Sequence, residues 1–467
     1  MVETAVSPSR TGRVAPVRTN ATATLVIGCA AVLLVLLAYN APLAAVPQMA
    51  ASLGAGMSGQ TWIMNGMVLG LAVSMLIAGS VADDYGRRRV FLIGTGLFAA
   101  SLAAGVAAPS TALFVVLRVL QGLGAAAMLT ASTGLIVNAH PVGPGRVRAI
   151  GLWSAMIGLG IAVGPLVSAS LATAWSWRAC YGIYAVAALA IVVATPRLVP
   201  ESRAEHRQTI DVPGVVTLAA GMALLLTALT EARSGWLRPE VAILFGGAAV
   251  VLAGFVVIEW RRRAPMLDPR LFRSPAFVVA TIGALVTGLA VIGFVSYLPT
   301  VFQRSLGMSA LSAVAPVVVW AGVSFLVSLQ ARRLAVAARW QIAAGLALAA
   351  VAYAVMLGAV DAGAVGRLYA GFVISGVGSG LINASLARMA VESVPAGRGS
   401  MGAGANQTAR YLGSSAGLAI TVVLATSASG GGPAHALAHG TDIAMIVALA
   451  LTVAGALTAA VVRPRTA

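Results

Sequence analysis

Lysine is absent from this 467-residue chain, so all 30 of its basic side chains are arginine. Acid is scarce as well: Asp and Glu together number 13, and charged residues make up only 9% of the sequence. With 59% hydrophobic residues and a mean hydropathy of +0.94, there are too few polar groups to cover a water-facing surface, and lipid must solvate most of the chain. Only two cysteines are present, Cys29 and Cys180, both in or beside apolar runs. That excludes a disulfide framework, and without metal-ligand spacing neither a metal nor a cofactor is expected. The formal net charge of +17 suggests nucleic acid, but the arginines stand in short clusters between apolar runs rather than along one amphipathic face. They read as topology charge, and no nucleic-acid partner is expected.

What is abundant is uninterrupted apolar sequence. Apolar windows of about 20 residues with at most one charged residue each fall near 24–46, 60–82, 90–108, 111–137, 148–174, 180–197, 212–230, 241–258, 275–301, 309–330, 340–360, 366–387, 400–427 and 441–462. These runs are too long for barrel strands and lack alternating polar positions, so an all-α membrane protein of about 14 helices is expected. Residues 1–22, with Arg10, Arg13 and Arg18, predict a disordered tail. The run that follows has no convincing cleavage site and stays part of the protein. Arginine accumulates in that tail and at alternate connections: Arg87, Arg88 and Arg89; Arg146 and Arg148; Arg203 and Arg207; Arg261, Arg262, Arg263, Arg270 and Arg273; Arg332, Arg333 and Arg339; Arg398; Arg463 and Arg465. The other connections carry only scattered arginines, such as Arg178, Arg233, Arg238, Arg304 and Arg367. This bias predicts that both termini face the cytoplasm.

Set against itself at an offset of about 254 residues, the chain pairs Gln121-Gly122-Leu123-Gly124 with Ser375-Gly376-Val377-Gly378. Nearly the same offset pairs Gly160 and Gly164 with Gly413 and Gly417. Two six-helix halves with two spans inserted between them are implied: a tail at 1–22, a bundle at 23–200, an insert at 201–273 and a second bundle at 274–467. Repeated halves are a frame for alternating access. Glycines four apart also serve plain close packing, and the two readings are compatible.

Three segments carry chemistry. Gly79-Ser80-Val81-Ala82-Asp83-Asp84-Tyr85-Gly86-Arg87-Arg88-Arg89 forms a short turn between the second and third spans, where Gly86 allows the reversal. Asp83 at a helix end can accept charge-assisted bonds from a nearby Arg or from a helix N-terminus across the interface between the halves, latching one conformation. Arg118-Val119-Leu120-Gln121-Gly122-Leu123-Gly124 puts a guanidinium inside the fourth span, a costly placement that suggests a proton relay or substrate contact, unless the side chain is simply pinned by carbonyls. Gly160-Ile161-Ala162-Val163-Gly164-Pro165 thins and bends the fifth span.

These segments resemble the signature loop, the fourth-helix arginine motif and the antiporter motif of the major facilitator superfamily. The span count, Val212-Pro213-Gly214, Leu267-Asp268-Pro269-Arg270-Leu271-Phe272 and Asn406-Gln407-Thr408-Ala409-Arg410-Tyr411-Leu412-Gly413 are similar to its fourteen-helix drug:proton antiporter family. The resemblance implies that fold, two six-helix bundles plus two inserted helices, in a monomeric, non-enzymatic exporter of small hydrophobic drugs or natural products. It assigns the latch to Gly79, Asp83, Gly86, Arg87 and Arg88, the relay to Arg118 and Gln121, and the antiporter motif to Gly160, Gly164 and Pro165. The chain departs from the family at Asp84, which stands where an Arg is usual, and at Ser168-Ala169, which replace a glycine pair. It departs again at Ala38, where the family places an acid in its first helix.

No Asp or Glu lies deep within a span, so protons are a weaker expected partner than the substrate. Asp83 near the cytoplasmic face, or Glu231 and Asp442 near the outer face, are the substitutes for such an acid, and His435 and His439 read as a solvated pair in an outer loop. Tyr39, Asn40, Asn65, Trp153, Tyr297, Trp320, Asn383, Asn406 and Arg410 are candidates to face a substrate cavity, because polar and aromatic side chains in apolar helices either line a cavity or bond helix to helix. An uncoupled facilitator or a lipid or metabolite carrier is the alternative. A membrane enzyme would need a richer cluster than His140 beside Arg146 and Arg148, and a sensor would need an added soluble domain.

Overall fold

A computed structural model describes residues 20–204, 211–232, 235–236, 238–262, 265–331, 334, 336–428 and 432–462. The tail through residue 19 and Arg207, Arg233, Arg263, Arg332, Arg333, Arg463 and Arg465 lie outside the described residues. Among those described, 14 helices are long and apolar enough to cross a membrane. Lipid dictates the choice of helix, because each backbone N–H and C=O must find its partner within the segment.

The helices are α1 (Ala21–Leu53), α2 (Met57–Tyr85), α3 (Arg87–Val106), α4 (Thr111–Ala139), α5 (Pro144–Ala174), α6 (Trp177–Leu198), α7 (Val212–Glu231) and α8 (Pro239–Arg261). They continue as α9 (Pro275–Leu306), α10 (Ala310–Ala331), α11 (Ala338–Met356), α12 (Val365–Glu392), α13 (Gly399–Ser427) and α14 (Pro433–Val461). Starts follow local chemistry: Ser110 and Ser176 accept hydrogen bonds from Leu113 N and Ala179 N, and proline stands in the first turn of α5, α7, α8, α9 and α14.

Two expectations need correction. The last helix begins at Pro433 rather than near 441, so His435 and His439 lie in its first turns and not in a loop. His435 Nδ1 lies 2.6 Å from Asp361 Oδ1, so this residue has a partner. The span near 275–301 is also not one regular helix, because Thr287–Ile292 is π-helical. The Tyr353 hydroxyl donates to the Ala290 carbonyl in that stretch at 2.6 Å, satisfying backbone there.

The same glycines make the same contacts in both bundles. Gly122 of α4 packs on α2, where an added Cβ would lie 2.7 Å from Leu71 N and 2.8 Å from Gly70 Cα. Its repeat mate Gly376 of α12 packs on α10, with Trp320 O at 2.8 Å. Gly124 meets α3 as Gly378 meets α11, while Gly160 and Gly164 meet α1 as Gly413 and Gly417 meet α9. The repeat is therefore one of helix-to-helix approaches and extends beyond sequence.

One apolar cluster fills α1–α6, and two others lie mainly within α9–α14. A fourth joins Leu218, Met222 and Leu226 of α7 to Ala72 and Leu76 of α2 and to Met401 and Ala405 of α13. The inserted hairpin thus packs by α7 over the line where the bundles meet, while α8 turns most of its surface outward.

Changing Gly122→Val is expected to force α2 and α4 apart and to cost about 1–3 kcal/mol, seen as a lower apparent melting temperature in detergent. Gly96→Ala, with open space around its Cα, is expected to leave that temperature unchanged.

Candidate functional site

Where α2 ends, Gly86 takes φ +116°, a conformation that side chains resist, and closes one helix while opening the next. The turn brings Arg87 back onto Asp83, with Nε and Nη2 each 2.8 Å from Oδ1. Both side chains are buried, Asp83 completely. The same carboxylate accepts from Ser400 N at 3.3 Å and from Met401 N at 2.9 Å. Those amides belong to the first turn of α13, where a helix leaves N–H groups unpaired. Asp83 of the first bundle thus caps a helix of the second.

The surroundings reinforce this junction. Arg87 Nη2 donates to Gly397 O at 2.7 Å, and Arg398 Nη1 donates to Asp84 Oδ2 at 2.9 Å. Asp84, atypical for the signature loop, therefore pairs with an arginine of the opposite bundle. Gly79 lies flat on Ser400 and Met401, where a Cβ would come 2.8 Å from Ser400 C. Behind the turn, Glu201 accepts from Arg88 N (2.9 Å) and Arg89 N (3.2 Å), so a carboxylate caps the start of α3. Arg88 itself donates to Val199 O and points away from the second bundle. Asp83, Asp84 and Arg87 are thus joined across the bundles, whereas Arg88 is not.

About two turns into α4, Arg118 is fully buried. Its guanidinium donates to Ile63 O (3.1 Å), Ala38 O (3.1 Å), Tyr39 O (3.4 Å) and Gln121 Oε1 (3.0 Å), while Gln121 Nε2 reaches Ser101 O. Among the described residues none of these partners is a carboxylate. The charge is held mainly by backbone oxygens of α1 and α2, that of Ala38 among them. In the second bundle Arg410 donates from Nη1 to Asn383 Oδ1 at 3.0 Å, and Asn383 donates to Ser324 Oγ. Each bundle therefore buries one arginine among neutral acceptors. They come from α4 and α13, which are not repeat mates.

The cavity candidates are mostly enclosed. Asn40 donates to Leu36 O of its own helix and packs on Gly164. Trp153 donates to Ser132 Oγ, Trp320 to Ser379 Oγ, and Asn406 to Ala280 O. With Asn383 and Arg410 these side chains are buried and bond helix to helix or within their helix in this conformation, while Arg410 Nε has no partner among the described residues. Only Tyr39, Asn65 and Tyr297 are partly exposed, and Asn65 Nδ2 is a buried donor with no partner among the described residues. Gly160 and Gly164 face α1 within their own bundle, with Pro165 inside a continuous α5. Toward the second bundle, Gly158 of α5 packs on Phe325 and Ala321 of α10, and Ala162 joins an apolar cluster of that bundle.

Gly158, Glu201, Gly397, Ser400 and Met401 were not anticipated from sequence, and Arg398 was read as topology charge alone. Backbone amides and carbonyls carry no residue signature. The start of a helix on the arginine-rich face was the one available signal.

This architecture and interface define a class. A model of the Major Facilitator Superfamily matches residues 28–418, and the chain belongs to that superfamily of transporters. Over 462 residues it is 30% identical to the cephamycin export protein CmcT of Amycolatopsis lactamdurans, covering 96% of this chain and 94% of that one. It is also 30% identical over 380 residues to the multidrug resistance protein Stp of Mycobacterium tuberculosis, covering 80% and 70%. The fold matches the crystal structure of the human organic anion transporter MFSD10 with a TM-score of 0.67 at 16% identity, over 95% of this chain and all of that one.

Asp83→Ala removes a buried acceptor from Arg87, Ser400 and Met401 together, a loss of about 3–5 kcal/mol. Spin labels on Arg89→Cys and Glu392→Cys are expected to report a longer and broader distance distribution in that variant than in the parent.

Proposed function

We propose that this transporter exports small hydrophobic drugs or natural products by alternating access, with both termini in the cytoplasm of a bacterial cell. The observation that carries this reading is the junction at Asp83. There the two bundles meet at the arginine-rich face through a compact set of ion pairs and backbone bonds that can part as a unit. Opening it would expose the seam to the cytoplasm, and closing it would turn the seam outward. In this reading Gly79, Asp83, Gly86 and Arg87 form the latch, and Arg88 only stiffens the turn. The names of the relatives support export, and the low charge of the helices supports a site that selects by size and apolar shape. The bundles are taken as residues 23–200 and 274–467, flanking an insert at 201–273, and the working unit is taken as a monomer.

Exchange with protons is the leading mode, and uncoupled movement is the second. The second is favoured by Ala38, whose carbonyl rather than a carboxylate meets Arg118. Dye efflux from proteoliposomes, with and without an imposed pH gradient, separates them: acceleration by the gradient is expected for exchange, and equal rates would leave transport but remove the proton. Arg118→Lys keeps the charge but loses the fork that joins α1, α2 and Gln121. It is expected to slow efflux about tenfold, the equivalent of ~1.4 kcal/mol, at unchanged reconstitution. Undiminished efflux would refute a transport role for this arginine.

A further inference from the structure

The inserted hairpin contains two buried carboxylates that the site above does not use. Asp211 caps α7 and is 4% exposed, and Glu259 lies near the end of α8 and is 2% exposed. Each has one satisfied oxygen. Asp211 Oδ1 accepts from Gly214 N at 3.0 Å and lies 3.3 Å from Arg262 Nη2, while Glu259 Oε2 accepts from Leu267 N at 3.1 Å. The other two oxygens, Asp211 Oδ2 and Glu259 Oε1, are buried without a donor. They converge on one spot: a Cβ built on Gly214 would lie 2.7 Å from each, so the two oxygens face one another across no more than twice that distance.

Two carboxylate oxygens brought this close have no hydrogen to share unless one carries a proton, and two bare anions facing each other away from water are strongly disfavoured. Arg262 is bound to the far oxygen of Asp211, with its side chain 43% exposed, and so does not fill the gap between the two groups. The buried residues of α2 and α13 in the apolar cluster over α7 are Ala72, Leu76, Met401, Ala405 and Ala419, and of the partly buried residues of these two helices packed against it the titratable one is Tyr411 of α13.

We propose that Asp211 and Glu259 together bind one proton at neutral pH as a carboxyl–carboxylate pair, making the foot of the α7–α8 hairpin a proton-binding site. The proton comes from water and sits between Glu259 Oε1 and Asp211 Oδ2, covalently on one and accepted by the other. Its loss leaves two facing anions and drives the feet of α7 and α8 apart. Because α7 lies over both α2 and α13, the helices joined at Asp83, this site loads or loosens the seam from the arginine-rich face. The binding of the proton does not depend on the export reading.

Infrared difference spectra of the full chain in lipid at pH 7, in sodium- and potassium-free buffer, test the proposal. A protonated carboxyl C=O band that shifts in D2O is expected, absent from Glu259→Gln and lost or displaced in Asp211→Asn. The glutamine amide can donate to Asp211, so this variant is expected to remain folded and monodisperse. A band unaffected by both substitutions, no band in the parent, or a band abolished by adding sodium at constant pH would each overturn the proposal, the last in favour of a metal cation. Melting curves give a second measurement. Unfolded carboxyls are ionised above about pH 5, so a native state that still holds a proton loses stability as pH rises towards the point where it is released. The apparent melting temperature of the parent is expected to fall between pH 5 and pH 9 more steeply than that of Glu259→Gln. Parallel slopes would overturn the proposal.

Discussion

Everything in this structure depends on how closely helix backbones can approach one another in lipid. With apolar side chains as content beside lipid tails as beside each other, association must come from shape and from polar contacts. Gly122 against Gly70 and Gly124 against Gly94 supply the shape in the first bundle, and Gly376 against Trp320 and Gly378 against Gly345 repeat it in the second. Glycine is used where backbone meets backbone, and the large side chains fill the spaces between these crossings.

Between the bundles a second kind of contact appears. Gly79 brings the backbone of α2 onto that of α13, as glycines do inside each bundle, but the adhesive there is a carboxylate filling the unpaired end of a helix from the other side. A helix terminus in lipid cannot leave its amides bare, so Asp83 and the start of α13 need each other, or water, at every stage of a transport cycle. Arg398 with Asp84 adds an ion pair that crosses the same line.

The buried arginines show a different economy. Arg118 and Arg410 are stabilised by oriented carbonyl and amide oxygens, which lowers the need for an acid in the same helix layer. The arrangement accommodates Ala38 without leaving the guanidinium bare. Among the described residues the buried carboxylates, Asp83, Asp84, Asp211 and Glu259, lie instead near helix ends, in the turn after α2 and in the foot of the inserted hairpin.

Fourteen helices, their approximate limits, the paired halves and the superfamily were all legible in the sequence, because long apolar runs, recurrent glycine spacing and a helix-end acid before Gly86 are local patterns. The Asp83–Arg87 pair was legible for the same reason, the two residues being one turn apart. The partners Gly397, Ser400 and Met401 were not, since they lie more than 300 residues away and act through their backbone. Nor was the pairing of Asp211 with Glu259, which folding of the hairpin alone brings together. The enclosure of Asn40, Trp153, Trp320, Asn383, Asn406 and Arg410 shows the same limit. A sequence states that a polar side chain sits in an apolar helix, and only the packing of neighbouring helices decides whether it meets a cavity or another side chain.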